Sequence, residues 1–210
     1  STSINIKYDQ CLSLIPHIIP KKKEWNEFKR KFRVQLNELY TQAYDFKGFL
    51  LPPEDEGINP FEGGYPLHPI TLYALDRLSK KVAQNERTFF TYLASDEDYS
   101  LFYLLEKMNL NEFHFIGLDA IYDYFEENIY SYRGGEAREI YKKYQVAINK
   151  LGLGVEKTVQ IRVLKAMAVI YIINDAGTLA SDEETLVNVI DADKEIVKAA
   201  INDLEKQKII

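Results

Sequence analysis

The sequence predicts an all-α fold, and three observations carry the prediction. Apolar residues recur at steps of three and four through long segments, where a strand would alternate. Turn formers are scarce, with 7 Pro and 10 Gly in 210 residues, and most of the prolines crowd into one stretch. The 15 Tyr, 11 Phe and 1 Trp carry large apolar areas whose burial offsets the entropy of ordering, so disorder is excluded as the general state.

Segment 23–44 places Trp25, Phe28, Phe32, Leu36 and Leu39 on one stripe with charges opposite, which predicts one long helix. Between 46 and 69, Gly48, Pro52, Pro53, Gly57, Pro60, Gly63, Gly64, Pro66 and Pro69 stand too close together for a helix to persist, which makes this the main loop. Pro69 is a start signal for a helix over 71–83, with Leu72, Leu75, Leu78 and Val82 on one side, and a helix over about 85–94 comes next. Ser95 with Asp96, Glu97 and Asp98 supplies a capping side chain and negative charge where a helix start favours both, ahead of a helix over 101–108. Helices over 119–130 and 136–151 are separated by Gly134 and Gly135. Gly152-Leu153-Gly154 is the candidate domain boundary. Beyond it the pattern gives a helix over 157–174, a turn at Gly177, a helix opened by the box Ser181-Asp182-Glu183-Glu184, and a helix over 191–207. Gln207-Lys208-Ile209-Ile210 reads as a strand beginning, so three helices with short turns suggest a winged helix truncated before its wing. With Ser1 rather than Met at its start, the chain is expected to be a fragment of a longer protein.

The residues exclude several function classes. The longest apolar run, 166–173, is well short of the roughly 20 residues that span a bilayer, so no membrane partner is expected. The opening lacks the basic start and apolar core of a secretory signal, and the lone Cys11 has no internal disulfide partner, which points to a reducing cytoplasm. Gly152-Leu153-Gly154-Val155-Glu156-Lys157-Thr158 imitates a phosphate-cradling loop, but Glu156 stands where Gly must precede the Lys and Leu151 where the earlier Gly belongs. No nucleotide cofactor is expected by that route. His17, His68 and His114 are far apart and no zinc spacing exists, so no metal is expected. Cys11 and His17 lie in one short apolar segment without an orienting third group, and read as a buried thiol and its neighbour rather than a nucleophile pair. Gly-x-Ser-x-Gly is missing and the carboxylates are spread along helical faces, so no catalytic residue is assigned.

Charge is more informative. Across 21–33 seven basic side chains face two acidic ones, a net +5 inside a chain of net −6. Lys29, Arg30, Lys31 and Arg33, interleaved with aromatics, are therefore candidate nucleic-acid contacts, against the alternative of a solvated face or one paired with the acidic body. A recognition helix over 191–207 is a poorer candidate, because from Gly177 onward 8 acidic residues outnumber 4 Lys and repel a phosphate backbone.

Tyr65-Pro66-Leu67-His68-Pro69, then Leu78-Ser79, then Ala83-Gln84-Asn85-Glu86-Arg87-Thr88-Phe89-Phe90-Thr91-Tyr92-Leu93-Ala94 resembles a signature of large bacterial ATPases of phage-defence systems, notably the BREX-type ATPase, and of related AAA-like P-loop proteins. In those proteins an aromatic-Pro-x-His-Pro stretch leads into a helical lid after the nucleotide-binding core. The motif covers about 30 residues; the rest matches only in its helical character and in the downstream winged helix. The resemblance implies that Arg87, at the start of a lid helix, senses the terminal phosphate of a nucleotide through its fixed, planar charge, against the alternative that it pairs with Glu86 or Asp96 on the lid surface, and that His68 anchors the loop by a hydrogen bond rather than acting as a base. Walker motifs are missing here, so ATP and Mg would belong to a longer parent chain, whose remainder is the implied partner, alongside protein partners or DNA. The expected organisation is an N-terminal segment with a basic helix over 1–45, a loop and helical lid-like domain over 46–152, and a winged-helix-like domain over 153–210. The expected function is a non-catalytic regulatory and interaction module of an antiphage ATPase, with a nucleic-acid-binding module built on 21–33 as the alternative.

Overall fold

The computed structural model describes residues 19, 21, 23–46, 61–83, 86–152, 154 and 157–210. The helices among them are α1 (Trp25–Lys31), α2 (Arg33–Asp45), α3 (Pro69–Leu78), α4 (Glu86–Ala94), α5 (Leu101–Lys107), α6 (Leu118–Ser131), α7 (Gly135–Leu151), α8 (Thr158–Ile173), α9 (Glu183–Val189) and α10 (Lys194–Lys206). The chain is mostly helical, and no strand occurs among the described residues. One isolated parallel bridge, Leu67 to Ile116, joins two loop segments.

Helix α8 is apolar almost all round, as an element packed on most of its sides must be, with Tyr171 left half exposed. Val163, Leu164, Ala166, Ala168, Val169, Ile170, Ile172 and Ile173 are all buried. It packs against α3, α6 and α7 from earlier in the chain and against α9 and α10 after it. Residues from both sides of 152–154 therefore belong to one continuous hydrophobic cluster that runs from Ile19 to Leu204. Tyr73, Tyr92, Tyr122 and Phe125 are fully buried in it.

Five local expectations are corrected by the structure. The stripe over 23–44 forms two helices, because Phe32 leaves helical geometry at φ −109°, ψ 27°. Its N–H still bonds the Phe28 carbonyl and its own carbonyl accepts from Leu36, so the chain bends without losing the ladder. The Phe32 ring is buried against Phe28 and Phe113, with ring centres 4.7 and 5.8 Å away. Helix α3 ends at Leu78 and continues as a π-helical turn, Ser79–Ala83, where the buried Ser79 hydroxyl donates to the Asp76 carbonyl. Ser100 caps α5, its hydroxyl accepting from Tyr103 N–H, and Ser95 instead supplies the carbonyl to which the Ser100 hydroxyl donates. Asp182 caps α9, while Ser181 hydrogen-bonds the Tyr171 hydroxyl. The last residues form a helix stop: Lys208 is left-handed at φ 53°, Ile209 N–H reaches the Leu204 carbonyl and Lys208 N–H reaches Glu205. Those two bonds satisfy carbonyls that a helix end otherwise leaves open. The helix start at Pro69 agrees with the sequence reading, Pro occupying the first helical position.

Candidate functional site

Two regions hold the chemistry that the fold assembles. The first is a cleft of about 800 Å³ between α1 and α5, closed at one end by residues 108–112. Its apolar lining includes Trp25, Phe28, Tyr65, Leu101, Leu105 and Met108. Trp25 stacks on Phe28 at 5.6 Å and tilts onto Tyr65 at 5.4 Å, and its indole N–H donates to Glu62 at 3.2 Å. Phe102 and Leu110 on the cleft lip stay substantially exposed, Leu110 at 60%. Four carboxylates, Glu24, Glu27, Glu106 and Glu112, stand around this apolar floor with two lysines, Lys21 and Lys31.

Both lysines are turned to the protein itself. Lys21 donates to the carbonyls of Gly63 and Tyr65 at 3.2 and 2.6 Å and lies over the Trp25 ring. Burial pulls its pKa down to about 8, with Glu62 opposing the shift. Lys31 donates to the Asn111 carbonyl at 2.8 Å and sits over Phe32. Glu24, Glu27 and Glu106 are exposed and make no ion pair among the described residues.

The second region is a polar seam where α8 meets α6 and the turn before α10. Arg162 and Lys165 are the charged residues of α8. Arg162 Nε donates to Asp119 at 2.6 Å and its Nη1 to the Asp191 carbonyl at 2.9 Å, and Lys165 pairs with Asp123 at 2.5 Å. The Asp191 carboxylate contacts His114 Nδ1 at 2.9 Å, and His114 Nε2 faces Glu112 at 3.3 Å. Burial pulls the His114 pKa down, but Asp191 and Glu112 together outweigh it and hold the ring above its usual value. Gly117 is needed here because a Cβ would stand 2.5 Å from the Val189 carbonyl and 2.7 Å from the Asp119 carboxylate. The seam is a set of paired charges that fixes helices to one another.

The residues singled out in the sequence are dispersed over the fold. His68 is fully buried at the start of α3, with Nδ1 accepting from Ile70 N–H at 3.1 Å and Nε2 facing Gln42 Oε1 at 3.4 Å. That pattern fits a neutral ring protonated at Nε2, and burial pulls its pKa down to about 3. Its backbone N–H donates to the Ile116 carbonyl, which joins the loop before α3 to the loop before α6. Arg87 sits in the first turn of α4, and its side chain lies outside the described residues, as do Cys11 and His17. The four basic candidates separate. Lys29 pairs with Glu62 at 2.7 Å and Lys31 is held as above, while Arg30 and Arg33 are exposed without an ion pair among the described residues. Lys157, of the imitation phosphate loop, donates to the Leu151 carbonyl and so closes the end of α7. No group of three or more His, Cys, Asp or Glu converges as a metal site among the described residues, and no helix there is long and apolar enough to cross a membrane.

Sequence reasoning missed both regions. The seam has a signal: Asp119 and Asp123 at i, i+4 match Arg162 and Lys165 at i, i+3 on an otherwise apolar helix, and charges on such a helix require partners. The cleft has none, because it depends on how α1 and α5, distant in sequence, are set side by side. In comparison with known proteins the chain matches no family model, no curated protein and no solved structure.

Proposed function

We propose that this chain is a non-catalytic interaction module of a larger machine. The observation that carries the reading is the cleft between α1 and α5, an apolar floor with exposed lips at Phe102 and Leu110. Elsewhere the buried charged and imidazole groups are held by internal bonds, as in the Asp119–Arg162 pair and at His68. An open apolar cleft of this kind is what a partner segment covers.

The larger machine is a nucleotide-driven one, an AAA-like ATPase of antiphage defence, by the resemblance of 65–94 alone, and its fold-level analogy extends to a lid-like bundle with a winged-helix-like end. The three-helix arrangement of α8, α9 and α10, with α9 packed on α10 and both on α8, supports the latter part. In that machine ATP and Mg would bind to the remainder of the parent chain, with Arg87 reporting on the terminal phosphate. A second reading, a nucleic-acid-binding module, is favoured by the exposure of Arg30 and Arg33 and weakened by the internal use of Lys21, Lys29 and Lys31.

The deciding experiment measures ATP hydrolysis by the 210-residue chain alone, beside its binding to DNA across a salt series. No turnover, and no salt-sensitive DNA binding removed by Arg30→Glu with Arg33→Glu, is the expected result. Turnover by the chain itself overturns the module reading, and salt-sensitive binding lost in that double variant replaces it with the nucleic-acid one.

A further inference from the structure

We infer that the cleft between α1 and α5 receives a basic amphipathic helix of a partner protein, with the apolar face of that helix on Trp25, Phe28 and Leu105 and its cationic flanks on Glu24, Glu27 and Glu106. The inference rests on the interaction-module reading and names its partner by chemistry. Three features of the cleft select that occupant.

The first is shape. Helices α1 and α5 form two walls, and a helix laid between two helices buries a stripe of side chains at i, i+4 and i+7. The floor presents side chains rather than unpaired backbone groups: the Tyr65 carbonyl takes Lys21, and the Asn111 carbonyl takes Lys31. A sheet edge to which an extended peptide could add is therefore not offered, and a helix, which satisfies its own backbone, is the better fit.

The second is charge. Formal charges on the lining sum to net negative, with four carboxylates against two lysines. The two lysines keep their charge but hydrogen-bond inward, over Trp25 and Phe32, and the other basic residues of α1, Lys29 and Arg30, lie outside the lining, so Glu24, Glu27 and Glu106 are the exposed charges of the cleft without an ion pair among the described residues. Complementary potentials choose the partner and orient it. The third is apolar exposure. Phe102 and Leu110 stand on the lip, where burial by a partner would add to the association.

Trp25 is the sole tryptophan of the chain and lies in the cleft, so it reports occupancy directly. The experiment titrates the whole chain with a Leu/Lys amphipathic helical peptide and with its Leu/Glu counterpart, tracking Trp25 emission. The Leu/Lys peptide is expected to saturate a single site with a blue shift of that emission. Glu27→Lys with Glu106→Lys should lower its affinity about tenfold and transfer the preference to the Leu/Glu peptide. Leu110→Asp, at an exposed position, should weaken the binding while leaving thermal unfolding in place. The inference is overturned if Trp25 emission does not respond, if the two peptides bind alike, or if charge reversal leaves the order unchanged. It is equally overturned if sedimentation shows self-association that Leu110→Asp removes, since the occupant is then a second copy. ATP hydrolysis, which tests the module reading, has a separate readout, so the two failures are distinguishable.

Discussion

The polar seam on α8 and the cleft between α1 and α5 use charged side chains to opposite ends. In the seam, Asp119 is buried and Arg162 partly so, and each charge meets its opposite at hydrogen-bond distance. In the cleft, Glu24, Glu27 and Glu106 stand exposed beside apolar side chains, with the neighbouring lysines turned away to backbone carbonyls. Buried charge left without its partner is strongly destabilising, whereas exposed charge costs little to leave unpaired. The first arrangement holds this fold together, and the second is free to recognise something else.

The largest expected effect breaks the seam. Asp119→Ala leaves the Arg162 guanidinium with the Asp191 carbonyl but no carboxylate and should cost about 3 kcal/mol in urea unfolding, against well under about 1 kcal/mol for Glu27→Ala in the cleft. Equal losses at the two positions would dissolve the contrast between the regions.

An intermediate effect comes from pH, because His68 and His114 respond with opposite sign. His68 is buried neutral with its pKa lowered to about 3, so its contribution is present above the unfolded value and is lost as pH falls toward the folded one. About 2 kcal/mol should be gone by about pH 5. His114 is held above its usual value, so its contribution is full below the unfolded pKa and disappears as pH rises through the folded one. Thermal unfolding against pH should therefore lose its acid-side slope in His68→Gln, and its decline toward neutral pH should flatten in His114→Gln.

The smallest expected effect sharpens the comparison from the surface. Arg30→Ala and Arg33→Ala should each shift stability by no more than about 0.5 kcal/mol, since neither has an ion pair among the described residues to lose. A larger loss would mean that α1 depends on its arginines as α8 depends on Arg162.

How far the molecule is legible from sequence depends on which interactions are local. Helix spans are readable because they repeat within one segment: Pro69 starts α3, and the apolar run of α8 announces a buried helix. Caps are less readable when several polar residues compete, as Ser95 does with Ser100 and Ser181 with Asp182, since the winner is decided by which backbone geometry the neighbouring loop permits. The bend at Phe32 is silent in the pattern because the apolar steps through 25, 28, 32, 36 and 39 continue across it. The basic character of 21–33 is visible in sequence, but its consequence is not. Glu62 and the carbonyls of Gly63, Tyr65 and Asn111 take up Lys21, Lys29 and Lys31, and all of them come from distant segments.

The bend at Phe32 also sets a rule for insertions. Each residue added to a helix turns its N-terminal part by about 100° relative to its C-terminal part. One residue inserted within α2 would rotate Trp25 and the Glu24–Glu27 edge away from α5 while Leu36, Leu39 and Tyr40 compete for their places in the core. The same residue inserted beside Phe32, where the backbone already departs from helical geometry, can be absorbed by the turn, and α1 has the freedom to settle back against Tyr65. Among relatives of this chain, length variation in this region should therefore gather at the bend and spare the two helices beside it.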